Sequence, residues 1–208
     1  MNSVPLFRLA GFGLAISGII AGAGDATYNL LGPQAGAPVA PFVAGVTFVA
    51  NIGVLLCLPG IGIRLAERSG VLGVIGYVLL SVGLAVFGVA SYMINAVVSP
   101  NLPPELEQQP PVGLITIWMT TELLALVGLI VLGLATLRAR AFARWIPWAL
   151  FGSALLVALS DAPIPGVQLV GAAHAILLYA GLVAMAVSLI RGTAQVHAPA
   201  GQPALATA

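Results

Sequence analysis

Six long apolar runs constrain this chain more than any other feature. They cover residues 7–24, 41–63, 71–98, 113–137, 141–160 and 167–190. A helix needs about 20 apolar residues to cross the hydrocarbon of a bilayer. Only 6% of the residues are charged, whereas a soluble domain carries about 25%. The sequence therefore predicts an all-α fold, a polytopic membrane bundle of six transmembrane helices arranged as three hairpins.

The segments between and after the runs set the domain boundaries. Gly32-Pro33 and Pro103-Pro104 are typical of loops between helices. The fifth run is the weakest, because its uncharged part begins only at Trp145. We expect one membrane domain over residues 1–191. Residues 192–208 are mostly Gly, Ala, Pro and Thr and predict a disordered tail.

The arginines predict the orientation in the membrane. With six spans, all seven basic residues fall on one side: Arg8, Arg64, Arg68, Arg138, Arg140, Arg144 and Arg191. The opposite side holds acidic residues such as Glu105 and Glu107. Cytoplasmic loops of membrane proteins carry an excess of arginine and lysine. We therefore expect both termini to be cytoplasmic.

The first run has an alternative interpretation as a signal peptide. Arg8, a short apolar stretch and the small residues 21–23 together resemble a signal peptide with its cleavage site. Cleavage there would leave five spans and an external N-terminus. The spacing between Arg8 and Asp25, which recurs later in the chain, favours the run as part of the fold.

A charge spacing recurs along the chain. Asp25 follows Arg8 by 17 positions, and Asp161 follows Arg144 by the same 17 positions. Seventeen residues of helix rise roughly 25 Å, so each pair would bracket the hydrocarbon. Arg68 begins a third similar stretch, although Ala85 stands where the acid would be. The spacing predicts three related hairpins with the same orientation.

Two segments carry a resemblance to other proteins. They are LPGIGIRLAERSGVLGVIGY at residues 58–77 and GLATLRARAFARWIPW at residues 133–148. The chain resembles a group of uncharacterised bacterial integral membrane proteins through these segments. The resemblance implies a protein of the bacterial cytoplasmic membrane. It implies neither an activity nor a functional residue.

Polar side chains inside the apolar runs are the candidate functional residues, because polar groups are costly in hydrocarbon. Glu122 lies nine residues after Gly113, roughly 14 Å deep by helical rise and near the bilayer midplane. The predicted intramembrane polar site comprises Glu122, His174, Asn51, Asn95, Tyr92 and Thr121. The predicted outer rim of that site comprises Asp25 and Asp161. A hydrogen-bond network that only fixes helix packing is the alternative interpretation.

The sequence lacks the residues that several kinds of functional site require. Cys57 is the single cysteine, so the chain cannot form an internal disulfide or a cysteine-ligated cluster. With two histidines and no HExxH motif, we expect no metal and no cofactor. Ser153 has no base nearby in the sequence, which argues against a nucleophile. The net charge of +1 gives no reason to expect nucleic acid.

These observations leave three functional hypotheses. The missing catalytic motifs favour a non-catalytic accessory or structural component, whose partners are the lipid bilayer and other membrane subunits. The alternative is a small transporter or proton-coupled permease with a midplane site around Glu122 and His174. An enzyme acting on lipid is the third. A pocket lined by Glu122 and His174 would favour the permease, a filled bundle the accessory protein, and a lipid-facing acidic groove the enzyme.

Overall fold

The computed structural model describes residues 4–31, 39–98, 101, 112–160 and 165–195. Regular structure in these residues is helical throughout, without a strand. The α-helices are α1 (Val4–Leu31), α2 (Val39–Cys57), α3 (Pro59–Ser69), α4 (Val71–Gly83), α5 (Ser91–Met93), α6 (Val112–Ala139), α7 (Ile146–Ser160) and α8 (Val167–Gln195). Two π-helical segments flank α5: π1 (Leu84–Ala90) and π2 (Ile94–Val98).

The predicted all-α membrane bundle is confirmed. Among the described residues, five stretches are long and apolar enough to cross a membrane: Pro5–Leu31, Ala40–Ser69, Val71–Val98, Ile115–Ala139 and Val167–Arg191. The sixth helix, α7, is apolar but has only 15 residues. It rises about 22 Å against a hydrocarbon thickness of about 30 Å. The weakness of the fifth run in the sequence reflects this short helix.

The helices form a closed antiparallel ring. Each span packs against the next along the chain, and α8 packs against α1 to close the ring. Gly11 of α1 faces Ile190 of α8, whereas Gly22 faces Tyr179, so the two helices run in opposite directions. This alternation brings the helix ends that carry the arginines to one end of the bundle.

Apolar side chains lie both inside the bundle and on its outer surface. Leu14, Leu65 and Leu150 are fully buried between the helices. Large apolar side chains also cover the outside, as at Leu56, which is 76% exposed. Lipid rather than water is the solvent that such a surface requires.

Several helix boundaries differ from the prediction. The first run was predicted to end at residue 24, but α1 continues to Leu31. Asp25 does not end the helix, because its carboxylate is bonded within the bundle. The second span divides at Pro59, which begins α3 and cannot donate a backbone N–H. The fifth helix begins at Ile146 rather than at residue 141.

The last helix differs at its C-terminal end. It was predicted to end at residue 190, with a disordered tail from residue 192, but α8 continues to Gln195. The rest of that predicted tail lies outside the described residues.

Glycines bring α4 and α6 into backbone contact. A Cβ atom added to Gly128 would lie 2.6 Å from the backbone nitrogen of Leu80. One added to Gly76 would lie 2.7 Å from the backbone nitrogen of Leu132. Only a residue without a side chain fits at such distances. This contact closes the half of the ring on the arginine side.

Candidate functional site

A cavity of about 310 Å³ occupies the centre of the ring, in the half away from the arginines. Every span except the second contributes to its wall. The polar residues of the wall are Asp25, Tyr28, Asn29, Ser91, Tyr92, Asn95, Glu122, Ser160, His174 and Tyr179. The bundle is therefore not filled at this level.

The Asp25 carboxylate accepts hydrogen bonds from two side chains of the cavity wall. The Tyr92 hydroxyl donates a hydrogen bond to Oδ1 of Asp25. Nδ2 of Asn29 donates to the same oxygen at 2.9 Å. The rings of Tyr28 and Tyr92 meet edge to face with centroids 5.3 Å apart. Asp25 was predicted on an outer rim after the first span, whereas it lies within α1 and faces the cavity.

His174 is held by the neighbouring helix α7. Its Nδ1 lies 3.0 Å from the backbone oxygen of Ser153 and 2.9 Å from the Ser153 hydroxyl. A carbonyl oxygen only accepts hydrogen bonds, so this contact is a hydrogen bond in the tautomer that carries its hydrogen on Nδ1. Nε2 is then the nitrogen that can accept a proton or a hydrogen bond.

The same contact corrects the prediction that Ser153 lacks a base. The fold brings His174 within hydrogen-bond distance, although the two residues are 21 positions apart. Ser153 is nevertheless fully buried, and it is not among the residues that line the cavity. The arrangement orients the imidazole and does not present a nucleophile to the cavity.

Glu122 faces the cavity from α6, as a carboxylate at this depth requires. The Ser160 hydroxyl of α7 lies 3.4 Å from Oε1 of Glu122. Ser160 also donates to the backbone oxygen of Val157 at 2.6 Å. The shorter distance marks the stronger bond, so the Glu122 carboxylate is only weakly engaged by Ser160.

The remaining predicted residues separate into two groups. Tyr92 and Asn95 line the cavity together with Glu122 and His174. Asn51 does not: it is fully buried, accepts a 2.6 Å hydrogen bond from the Tyr179 hydroxyl, and donates to the backbone oxygen of Thr47 at 3.0 Å.

A further predicted residue, Thr121, is not part of the cavity wall. Thr121 bonds to the backbone oxygens of Ile117 and Trp118 on its own helix, at 2.7 and 3.0 Å. These hydrogen bonds of Thr121 lie within α6. Asp161 lies outside the described residues.

The sequence reasoning missed several residues of the wall. Asn29 was detectable, because it stands four positions after Asp25 and shares its helix face. Tyr28, Ser160 and Tyr179 gave no such signal. Their positions depend on the rotation of their helices, which an evenly apolar sequence leaves open.

Comparison of the chain with protein-family models, with curated proteins and with solved structures finds no match.

Proposed function

We propose that this protein is a small proton-coupled permease that binds a cationic solute in the central cavity. The cavity is the observation that carries the proposal. Pockets for small molecules measure about 300–1,000 Å³ and combine apolar walls with a few polar groups. The cavity measures about 310 Å³, with apolar residues such as Leu80 and Leu129 beside its polar wall.

The charges of the wall favour a cation. Asp25 of α1 and Glu122 of α6 both face the cavity. Among the described residues of its wall there is no arginine. A carboxylate attracts a cation more strongly where water is scarce. The rings of Tyr28 and Phe87 add faces that attract cations.

Proton coupling follows from the same carboxylates. The titratable groups of the wall are Asp25, Tyr28, Tyr92, Glu122, His174 and Tyr179. Chains of carboxylates and histidines inside a membrane are typical of proton relays. A proton and a cation compete for the same negative charge, so uptake of one favours release of the other. This competition supports exchange of the solute against protons.

The accessory role stays the competing prediction, since it accounts for the missing catalytic motifs. A purely structural network would pack its polar groups together, as the pair Asn51 and Tyr179 does. Asp25, Glu122 and His174 also make hydrogen bonds, but they border an open cavity, which a packing network does not require. The lipid enzyme has less support, because Ser153, the hydroxyl beside His174, is fully buried.

A first experiment tests whether the cavity admits charged molecules. Asn95→Cys, in a Cys57→Ala background, is treated with a cationic and an anionic methanethiosulfonate of similar size. We expect the cationic reagent to react faster by about tenfold, equivalent to about 1.4 kcal/mol. Ser153→Cys, at a fully buried position, is the control and should resist both. Equal rates with the two reagents would contradict a cation site.

A second experiment tests transport. Proteoliposomes loaded with the pH dye pyranine receive tetramethylammonium or hexyltrimethylammonium outside. Exchange of cation against protons should make the lumen alkaline. Glu122→Gln should abolish the change, whereas Thr120→Val, at an exposed position beside it, should retain it. If neither cation moves protons beyond the level of empty liposomes, the permease is refuted and the accessory role is favoured.

A further inference from the structure

A second pocket adjoins the cavity on the outside of the bundle. It measures about 330 Å³ and lies between the third span and α6. Its lining residues are Phe87, Ser91, Ile115, Trp118, Met119 and Glu122. Phe87, Ser91 and Glu122 also line the central cavity. The inner and outer spaces therefore meet at these three side chains.

The outer pocket lies at the depth of the lipid tails. Glu122 is seven residues from Ile115, where the apolar span begins, which corresponds to about 10 Å along the helix. The hydrocarbon is about 30 Å thick, so this depth lies among the lipid tails. Ile115 and Met119 are 42% and 57% exposed on the outer surface. This side of the pocket therefore faces the hydrocarbon rather than water.

The backbone explains why the helices separate here. A Cβ atom on Gly83 would lie 2.6 Å from Cβ of Ala125, so α4 and α6 are in close contact at that level. Directly beyond Gly83, the third span continues as π1 with the large side chain of Phe87. π-Helical turns inside α-helices are often found at functional sites. The close contact between Gly83 and Ala125 is therefore followed along the third span by Phe87, which lines the outer pocket.

We propose that the solute is an amphiphilic cation that reaches the cavity sideways from the bilayer, between π1 and α6; this inference rests on the proposed permease function. An apolar tail would lie in the outer pocket against Ile115, Trp118 and Met119. The positive charge would pass Glu122 and reach Asp25. A solute without an apolar part would not collect in the hydrocarbon on which this opening borders. The ligand class is therefore an organic ammonium ion with an alkyl or aromatic tail.

The proteoliposome assay separates this route from the permease itself. Hexyltrimethylammonium should exchange against protons faster than tetramethylammonium by about tenfold, which is about 1.4 kcal/mol. Hexyl sulfate, which has the same tail and the opposite charge, should not compete. Met119→Trp fills the outer pocket and should slow hexyltrimethylammonium by a similar factor. Leu123→Trp is the matched control, because Leu123 is similarly exposed at 60% and lines neither space.

The possible results have distinct meanings. If both ammonium ions exchange equally fast and Met119→Trp behaves as Leu123→Trp does, the lateral route is refuted while the permease stands. Competition by hexyl sulfate would refute the preference for a cation. If Met119→Trp does not fold, Ile115→Trp tests the same opening from the neighbouring helical turn. Exchange by neither cation refutes the permease and the lateral route with it.

Discussion

Replacing Gly128 by alanine tests the backbone contact that closes one half of the bundle. The added Cβ would lie 2.6 Å from the backbone nitrogen of Leu80 and 2.9 Å from the carbonyl carbon of Leu79. Ordinary contacts begin near 3.5 Å, so the helices would have to separate by about 0.9 Å. Backbone atoms cannot rotate away as a side chain can. The contact between α4 and α6 must therefore loosen.

Two opposing effects set the size of the change. Inserting a methyl group into a packed contact costs about 1–3 kcal/mol. Replacing glycine by alanine within a helix gains about 0.5–1 kcal/mol. The middles of these two ranges leave a net loss of about 1 kcal/mol of stability for Gly128→Ala. In a chain of this length that corresponds to a fall in melting temperature of roughly 2–4 °C.

The assay is thermal unfolding of the purified protein in detergent. Gly45→Ala is the matched control, since Gly45 also lies within a helix and a Cβ there meets nothing within 4 Å. Its melting temperature should stay constant or rise. The opposite sign of the two changes isolates the contact from helix propensity. A Gly128→Ala protein that melts no lower than Gly45→Ala would show that α4 and α6 are not in backbone contact.

Three further predictions concern packing, backbone and orientation. Tyr179→Phe removes the donor to the buried Asn51 oxygen and should lower stability by about 0.6–2 kcal/mol, which thermal unfolding measures; an unchanged melting temperature would contradict the bond. Gly70→Ala meets nothing within 4 Å but forces a side chain into φ +63°, so the same assay should show a loss of about 1–3 kcal/mol; full stability would contradict that backbone. A cysteine at Gln108, in a Cys57→Ala background, should react with an impermeant maleimide on intact cells; labelling only after lysis would reverse the orientation predicted from the arginines.

Local properties of the sequence were sufficient to predict the spans. Length and apolar content are properties of the sequence alone. The third span was predicted over residues 71–98, and the structure has a membrane-length helical stretch over Val71–Val98. The first boundary failed because a charged residue was taken as a sign of the membrane surface. Asp25 lies inside the bundle instead, since Tyr92 and Asn29 bond its carboxylate.

Only the tertiary structure shows which polar residues line the cavity and which are packed between helices. Asn51 and Asn95 are both amides within apolar spans, yet Asn51 packs against Tyr179 and Asn95 faces the cavity. Nothing in the sequence separates them, because helices that are apolar all round carry no periodicity to show which face turns inward.

The sequence by itself determined that the chain has membrane-spanning helices and that its arginines share one end of the bundle, because both follow from the apolar length and charge of each segment on its own. Only the tertiary structure decided that Asp25, Glu122 and His174 line one cavity. Their meeting depends on the rotation and spacing of the three different spans that carry them. Close contacts such as that of Gly128 with Leu80 fix the spacing, and such contacts exist only once the helices have packed.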